Sequence, residues 1–594
     1  MVNPTSPFIS NFSGKYDTIG EEIFLDKTTH SASAQCLSEV TTWVLSNESW
    51  DVMQEENPKL AIKLMKNAAN VMRYRLLYPA KAYIAVEDFA RRADVRHEKD
   101  SIGEFELPSQ AYYGVQTARA IENFPITGIK LCQFPRFIEA LCYIKKAAAI
   151  TNHRLGAISE DKRDAIGAAC DEIVGGKLHG HFVVDMVQGG AGTSTNMNAN
   201  EVIANRGLEL MGKQKGQYDF LHPNNDVNHA QSTNDVYPSA IHIATLLSVP
   251  QLDSSLEDLA NALSAKAKEF ADILKMGRTQ LQDAVPMTLG QAFEAWAQMI
   301  RDERERLKSV AGLMEEINMG ATAIGTGINA HPAYSGLVIY ELNQLTGLHL
   351  RPSPNLIMAT QDTGAFLNFS SFLKNCCVRL SKISNDLRLL SSGPRCGLGE
   401  INLPAVQPGS SIMPGKVNPV IPEVVNQTSF FVMGADFANT MASEAGQMEL
   451  NAMEPLMAFL IFQSIDMISS AIATLIRNCI VGITPNIEKC TWYVMNSTGI
   501  VTALNPYIGY DNASRIAKTS LKTGKRVYDL VLEEKLLSKE QLDEIMQPDK
   551  MTKPREISKN KHWRKLSNTL ESVSFFFKEL ESKKTDSEQK DQKA

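Results

Sequence analysis

From about Ser101 to Pro554 the chain carries long stretches in which apolar residues recur with a helical period, notably Ser255 to Ile273, Met287 to Ile317 and Phe366 to Leu390. Recurrence at i, i+3, i+4 and i+7 lines one face of a helix, and few alternating segments compete with it, so the fold class is mainly α. Loops rich in Gly, Pro and Asn join these segments. Helices of this length need partners on more than one face, which predicts a central long-helix bundle continued across subunits. The most apolar stretch, Leu456 to Ile476, is interrupted by Gln463, Ser464 and Asp466 and reads as an inner bundle helix rather than a membrane span.

Composition narrows the function classes. The 594 residues include 60 Lys+Arg and 67 Asp+Glu, a net charge of −7, and 44% are hydrophobic. That balance excludes a disordered or collagen-like chain, and mild acidity gives no general attraction to nucleic acid or to an anionic membrane surface. A small-molecule partner is expected instead. The nine cysteines stand singly apart from Cys376-Cys377 and form no C-x-x-C, as expected of reduced thiols in a cytoplasmic protein. The N-terminus lacks a basic region followed by an apolar core, and Asp17, Glu21 and Glu22 argue against a transit peptide.

Residues 1–97 differ in character from the rest and form a small α+β appendage in this reading, with Ser33 to Leu45 β-rich and Ser49 to Leu77 helical in period. The charged string RRADVRHEKDS marks the junction. The segment from Gly20 to about Leu77 resembles the back half of a cyclic-nucleotide-binding domain. Gly20-Glu21 matches the pair that opens that family's phosphate cassette, while His30 stands where the family has its phosphate-binding arginine. Histidine lacks the two-pronged, permanently charged guanidinium, so the segment reads as degenerate. The remaining divisions are placed at 98–235, 236–485 and 486–555, followed by a charged, solvated tail at 556–594.

Four polar, glycine-punctuated loops stand out: Gln188 to Glu201, His222 to Asp235, Gly277 to Pro286 and Gly409 to Pro419. Taken singly, each reads equally well as a helix cap. Jointly they describe a dicarboxylate pocket, because helix N-termini with hydroxyl and amide caps favour carboxylates and Lys416 adds a full positive charge. Lys416 lies between Pro414-Gly415 and Asn418-Pro419, in a loop too broken to be helical and able to close over a ligand.

The string GSSIMPGKVNP resembles the signature of the fumarase and aspartase superfamily, and the likeness runs from about Lys99 to Met551, including AYYGVQTARAIENFPI and NSTGIVTALNPYIGYDNASRIAK. The resemblance implies a fumarase/aspartase-like fold, a homotetramer whose active sites draw loops from three subunits, and release of fumarate. GRTQLQDAVP carries Gln280 where class II fumarases have histidine, and Tyr113-Gly114 stands where they tend to have Trp-Gly, so the likeness points to the aspartase branch: L-aspartate to fumarate and ammonia. In that branch Ser410 would be the base. Thr193, Ser232, Thr233 and Ser411 would hold the β-carboxylate; Thr279, Lys416 and Asn418 the α-carboxylate; and Thr193, Asn234 and Gln280 the departing amino group.

The chemistry demanded is removal of a weakly acidic proton to give an enediolate, which preorganised donors stabilise without a required cofactor. A divalent ion as activator is left open. A serine is a weak base, so Ser410 needs nearby N–H groups to support its alkoxide. Glu423 matches a carboxylate that partners the missing histidine and is assigned no role. His179 and His181 lack further ligands in the neighbouring sequence, and Gly325 to Asn329 lacks the strand and remaining glycines of a dinucleotide site. The alternatives are a class II fumarase, disfavoured by Gln280, and a non-catalytic nucleotide-sensing scaffold.

Overall fold

The computed structural model describes residues 95–554, together with the isolated positions Met53 and Glu56. The appendage assigned to 1–97, with Gly20, Glu21 and His30, lies outside the described residues apart from its end, as does the tail at 556–594. Strands β1 (Val95–Lys99) and β2 (Glu104–Pro108) pair antiparallel, with Val95 opposite Pro108, so β1 runs across the expected junction. Then follow α1 (Val115–Asn123), α2 (Pro135–Arg154), α3 (Glu160–Val174), α4 (Thr193–Leu210) and the long α5 (Thr233–Glu269). The hairpin β3 (Leu274–Thr279) and β4 (Gln282–Thr288) leads to α6 (Leu289–Leu313), α7 (Tyr334–Thr346) and α8 (Gly364–Leu390). Short β5 (Ile401–Asn402) precedes α9 (Val420–Glu444) and α10 (Glu454–Asn478). After them come β6 (Thr484–Pro485), paired with β5, and α11 (Ile487–Asn496) through the smaller helices of the C-terminal part.

The expected mainly helical class holds, and the periodic stretches at 255–273, 287–317 and 366–390 fall largely in α5, α6 and α8. One boundary moves: α6 stops at Leu313, and Glu316–Ile317 instead pairs parallel with Arg351–Pro352. A larger difference is that α5 begins at Thr233 and runs through Pro238 and Pro250. Proline removes an N–H and frees the carbonyl four residues earlier. For Pro238 that carbonyl belongs to Asn234, and the Asn318 side-chain amide donates to it at 2.9 Å.

Two compact units emerge. One contains the described residues up to Ala260 with Met299–Asp386 and Val420–Asn478; the other contains Asn261–Gln298, Leu387–Pro419 and the described residues from Cys479 onward. In the first, α10 buries Met457, Ile461, Ile468 and Leu475, spaced by one or two helical turns, at roughly 1.5–3 kcal/mol each. It is long and apolar enough to cross a membrane by length and composition, yet 56% of its most apolar stretch is buried within the chain, consistent with an inner helix. The second unit has its own core, where Met276 on β3 packs with Val494, Leu504, Ile516, Val531 and Leu542.

Candidate functional site

In the first unit, Thr193 is the first residue of α4 and is exposed; its Oγ1 donates to the Gly190 carbonyl at 2.8 Å. The approach to α4 is a sharp turn in which Gly190, Ala191 and Gly192 all take positive φ. Gly192 is required twice over: at φ +89° a Cβ is strained, and it would lie 2.2 Å from the Tyr237 ring. Gly192→Ala is therefore expected to cost about 2–3 kcal/mol of stability. A urea midpoint equal to that of the parent would refute this.

Ser232, Thr233 and Asn234 form the N-terminus of α5, around the buried carboxylate of Asp235. One Asp235 oxygen accepts the Ser232 N–H at 2.9 Å, and the other accepts the N–H groups of Gly320 (3.2 Å) and Thr322 (2.9 Å). Ser232 Oγ accepts the Asn234 N–H at 3.2 Å, and Asn234 Nδ2 donates to the Ala323 carbonyl at 2.7 Å. Asn234 is thus held at its carbonyl and its amide nitrogen, leaving Oδ1 as its free acceptor.

Burial pushes the Asp235 carboxyl up to about 6, against the pull of the three N–H donors and of Lys145. The folded state then holds that proton more tightly than the unfolded chain, whose carboxyl titrates near 4. Its contribution to stability is complete below about 4 and is lost as pH rises to about 6. Asp235→Asn should flatten this part of the stability profile, measured as urea midpoints between those pH values. An unchanged slope would count against it.

Beneath this cap lies a polar cluster with no counterpart in the sequence reading. The fully buried Lys145 of α2 donates to Asn228 Oδ1 at 2.7 Å and to Gln231 Oε1 at 2.9 Å. Asn228 Oδ1 also accepts from Asn196 Nδ2 (3.1 Å) and Asn200 Nδ2 (3.2 Å), and Asn196 Nδ2 reaches Thr233 Oγ1 at 3.2 Å. These contacts join the first turns of α4 and α5, tying Asn196 to Thr233, which follows Ser232 and precedes Asn234; Thr193 lies three residues before Asn196 on α4.

The second unit carries the remaining candidates. The expected loop Gly277 to Pro286 is instead a β-hairpin with Thr279 opposite Gln282, so Gln280 and Leu281 are its two-residue tip. Both have positive φ, +53° and +63°, the signature of a type I′ turn. Asn-Gly is the usual choice there; Gln-Leu carries strain of about 1 kcal/mol per residue. Thr279 and Gln280 are exposed. Below them Arg278 Nη1 lies 2.6 Å from one oxygen of Glu400, and Lys275 Nζ 3.3 Å from the other; Glu400 is completely buried.

Glu400 also anchors the run toward β5, its N–H donating to Leu390 and its carbonyl accepting from Asn486 N, each at 2.8 Å. Beyond β5, residues 403–419 form no regular element, as the Gly409 to Pro419 loop predicts. That loop is pinched at its base: Gly409 N donates to the Lys416 carbonyl at 2.7 Å, and Asn418 Nδ2 to the Gly409 carbonyl at 2.8 Å. Ser410 Oγ accepts the N–H groups of Ile412 (3.2 Å) and Met413 (3.1 Å). Ser411 and Lys416 are exposed.

Three acids and amides were missed in the sequence. Asp235, Asn228 and Glu400 stand in strings whose periodicity carries no sign that they meet partners far along the chain. His179 and His181 have other partners: His179 Nε2 meets the Ile173 carbonyl at 2.8 Å, and His181 packs edge-on against Tyr112. His222 caps the turn Pro223–Val227, Nδ1 accepting from Asn224 and Asn225.

Residues 103–434 match a family model described as lyase, and residues 500–553 match one described as fumarase C C-terminus. Aspartate ammonia-lyase from Pseudomonas canavaninivorans is 57% identical over 464 residues, 78% of this chain and 98% of the relative. That from Escherichia coli K12 is 51% identical over 462 residues, 78% and 97%. Among solved structures, a fumarate lyase:delta crystallin from Brucella melitensis bound to cobalt has a TM-score of 0.76 at 52% identity, covering 78% of this chain and 100% of that one. A class II fumarase from Schistosoma mansoni has a TM-score of 0.74 at 35% identity, with the same coverage. With such relatives covered almost end to end over 78% of this chain, and the family model matching residues 103–434, the chain belongs to the lyase family.

Proposed function

We propose that this enzyme is an aspartate ammonia-lyase that converts L-aspartate reversibly to fumarate and ammonia. The near-complete match to relatives of that name supports the reading, and the observation that carries the choice of substrate is Gln280 at the strained hairpin tip. An amide can accept from an ammonium group, as can the free Oδ1 of Asn234.

In this reading Ser410 removes the proton next to the β-carboxylate, and the two N–H groups directed at its Oγ support the alkoxide. Ser232, Thr233 and Ser411, with Thr193 once its hydroxyl turns from the Gly190 carbonyl, donate to the β-carboxylate as it becomes an enediolate, the step at which positioned donors act most strongly. Thr279, Lys416 and Asn418 hold the α-carboxylate, and Thr193, Asn234 and Gln280 surround the amino group. The chemistry so described requires no cofactor. Spectrophotometric assay of fumarate should show formation from L-aspartate and none from L-malate. Turnover of L-malate alone would transfer the assignment to fumarase.

The first division after the appendage, 98–235, ends where α5 has just begun, and we retain it with 236–485 and 486–555 as the functional division. A homotetramer is part of the proposal, supported by Phe430 (60% exposed), Phe437 (69%) and Met441 (55%), which form an apolar stripe along α9. A fully active species with a monomer's mass in light scattering would contradict it. A cytoplasmic location is supported by eight free cysteines among the described residues.

A further inference from the structure

The relay beneath Thr233 has a direction, and Lys145 sets it. Burial lowers the Lys145 pKa to about 7, and while protonated it can only donate, so Asn228 and Gln231 turn their oxygens toward it. Their own amide nitrogens fix the same orientation, Asn228 Nδ2 donating to the Gln231 carbonyl and Gln231 Nε2 to the Val227 and His229 carbonyls. With Asn228 Oδ1 committed as an acceptor, Asn196 and Asn200 must each present an amide NH2 to it, since a carbonyl there would face another oxygen. The Asn196 amide nitrogen has two hydrogens. One goes to Asn228, and the other goes to Thr233 Oγ1. Thr233 is therefore an acceptor on its inner side, and its own hydrogen is left to point elsewhere.

The cluster is closed to water at its base: Lys145, Asn200 and Asn196 are at most 1% exposed. Reversing one member in a low-dielectric site leaves unpaired polar groups, so the alternatives are costly. The Oδ1 atoms of Asn196 and Asn200 are buried without a partner. The orientation that leaves them unpaired persists because the opposite one would set oxygens against Asn228 Oδ1.

We propose that Lys145 is a positioning residue that, through Asn228 and Asn196, keeps the Thr233 hydroxyl poised as a donor to the substrate's β-carboxylate. This rests on the reading of Thr233 as a carboxylate-binding residue. A hydroxyl forced to donate outward favours a carboxylate and disfavours a group that must itself donate. Lys145 touches no substrate in this scheme; it spares Thr233 the cost of reorienting its hydrogen as negative charge develops.

The test is a double-mutant cycle on the full chain, reading kcat/KM for L-aspartate in wild type, Lys145→Met, Thr233→Val and the pair. Each single variant should lose about 10–100-fold, the scale of a hydrogen bond to a charged group, and the pair should lose little more than Thr233→Val alone. Multiplicative losses in the pair would overturn the proposal, because a merely structural Lys145 acts whether or not the hydroxyl is present. A Thr233→Val variant with wild-type kcat/KM would instead remove the underlying site reading.

If Lys145→Met does not fold, Asn196→Asp carries the test. Its side chain is nearly isosteric but cannot donate to Thr233, and draws the hydroxyl hydrogen inward. Folding being confirmed by circular dichroism and thermal melting, a loss of about tenfold or more in kcat/KM, reduced in the Thr233→Val background, supports the relay. Activity within about twofold of wild type refutes it.

Discussion

Replacing Ser410 by alanine is expected to lower kcat for fumarate formation from L-aspartate by about a thousandfold or more, with a much smaller change in KM. The split follows from the site's division of labour. In the proposed mechanism the substrate carboxylates go to other side chains and the proton to Ser410 Oγ, which accepts the N–H groups of Ile412 and Met413. Folding should be nearly unaffected, because these N–H groups belong to exposed residues of an irregular loop and water can replace the hydroxyl. Steady-state kinetics with a thermal melt as control decides it. A variant that keeps its kcat would take the base role from Ser410, and one that loses only KM would make it a binding residue.

Glu400→Gln is expected to remove about 3–5 kcal/mol of stability, the cost of breaking a buried ion pair from one side. The substitution preserves shape and leaves Lys275 and Arg278 facing a neutral amide. Both cations lie on β3, immediately before Thr279 and Gln280, so the same change should reduce kcat/KM by loosening the hairpin. Urea denaturation should show a lower midpoint, and Glu400→Asp should recover part of the loss. A midpoint unchanged in Glu400→Gln would show that the hairpin is held by its packing on Met276 and not by this charge.

The helical class was legible in the sequence because its signal is periodic and local: Phe366 to Leu390 is α8 almost residue for residue. The start of α5 was not. Pro238 and Pro250 are strong breakers locally, and only a side chain 80 residues later, Asn318, answers the carbonyl that Pro238 sets free. The hairpin at 274–288 was hidden for a related reason, since Gln-Leu is an improbable type I′ pair and the turn type is visible only in its dihedral angles. For the candidate site, the loop residues showed themselves by composition and by family likeness. Their supports did not: Lys145, Asn228 and Glu400 act across separations of 83 to 122 residues, where no window of sequence relates them.

The tip of that hairpin has a consequence for any attempt to make the enzyme hardier. Strain-relieving substitution would begin at Gln280-Leu281, where Asn-Gly fits the turn and Leu281, 70% exposed, packs little within the chain. A gain of about 1–2 kcal/mol is the expected reward for such a change. As the site is read here, the same edit shortens the amide that meets the amino group. Heat tolerance and substrate choice therefore compete for one pair of positions, and a screen for melting temperature alone would select against the enzyme's discrimination.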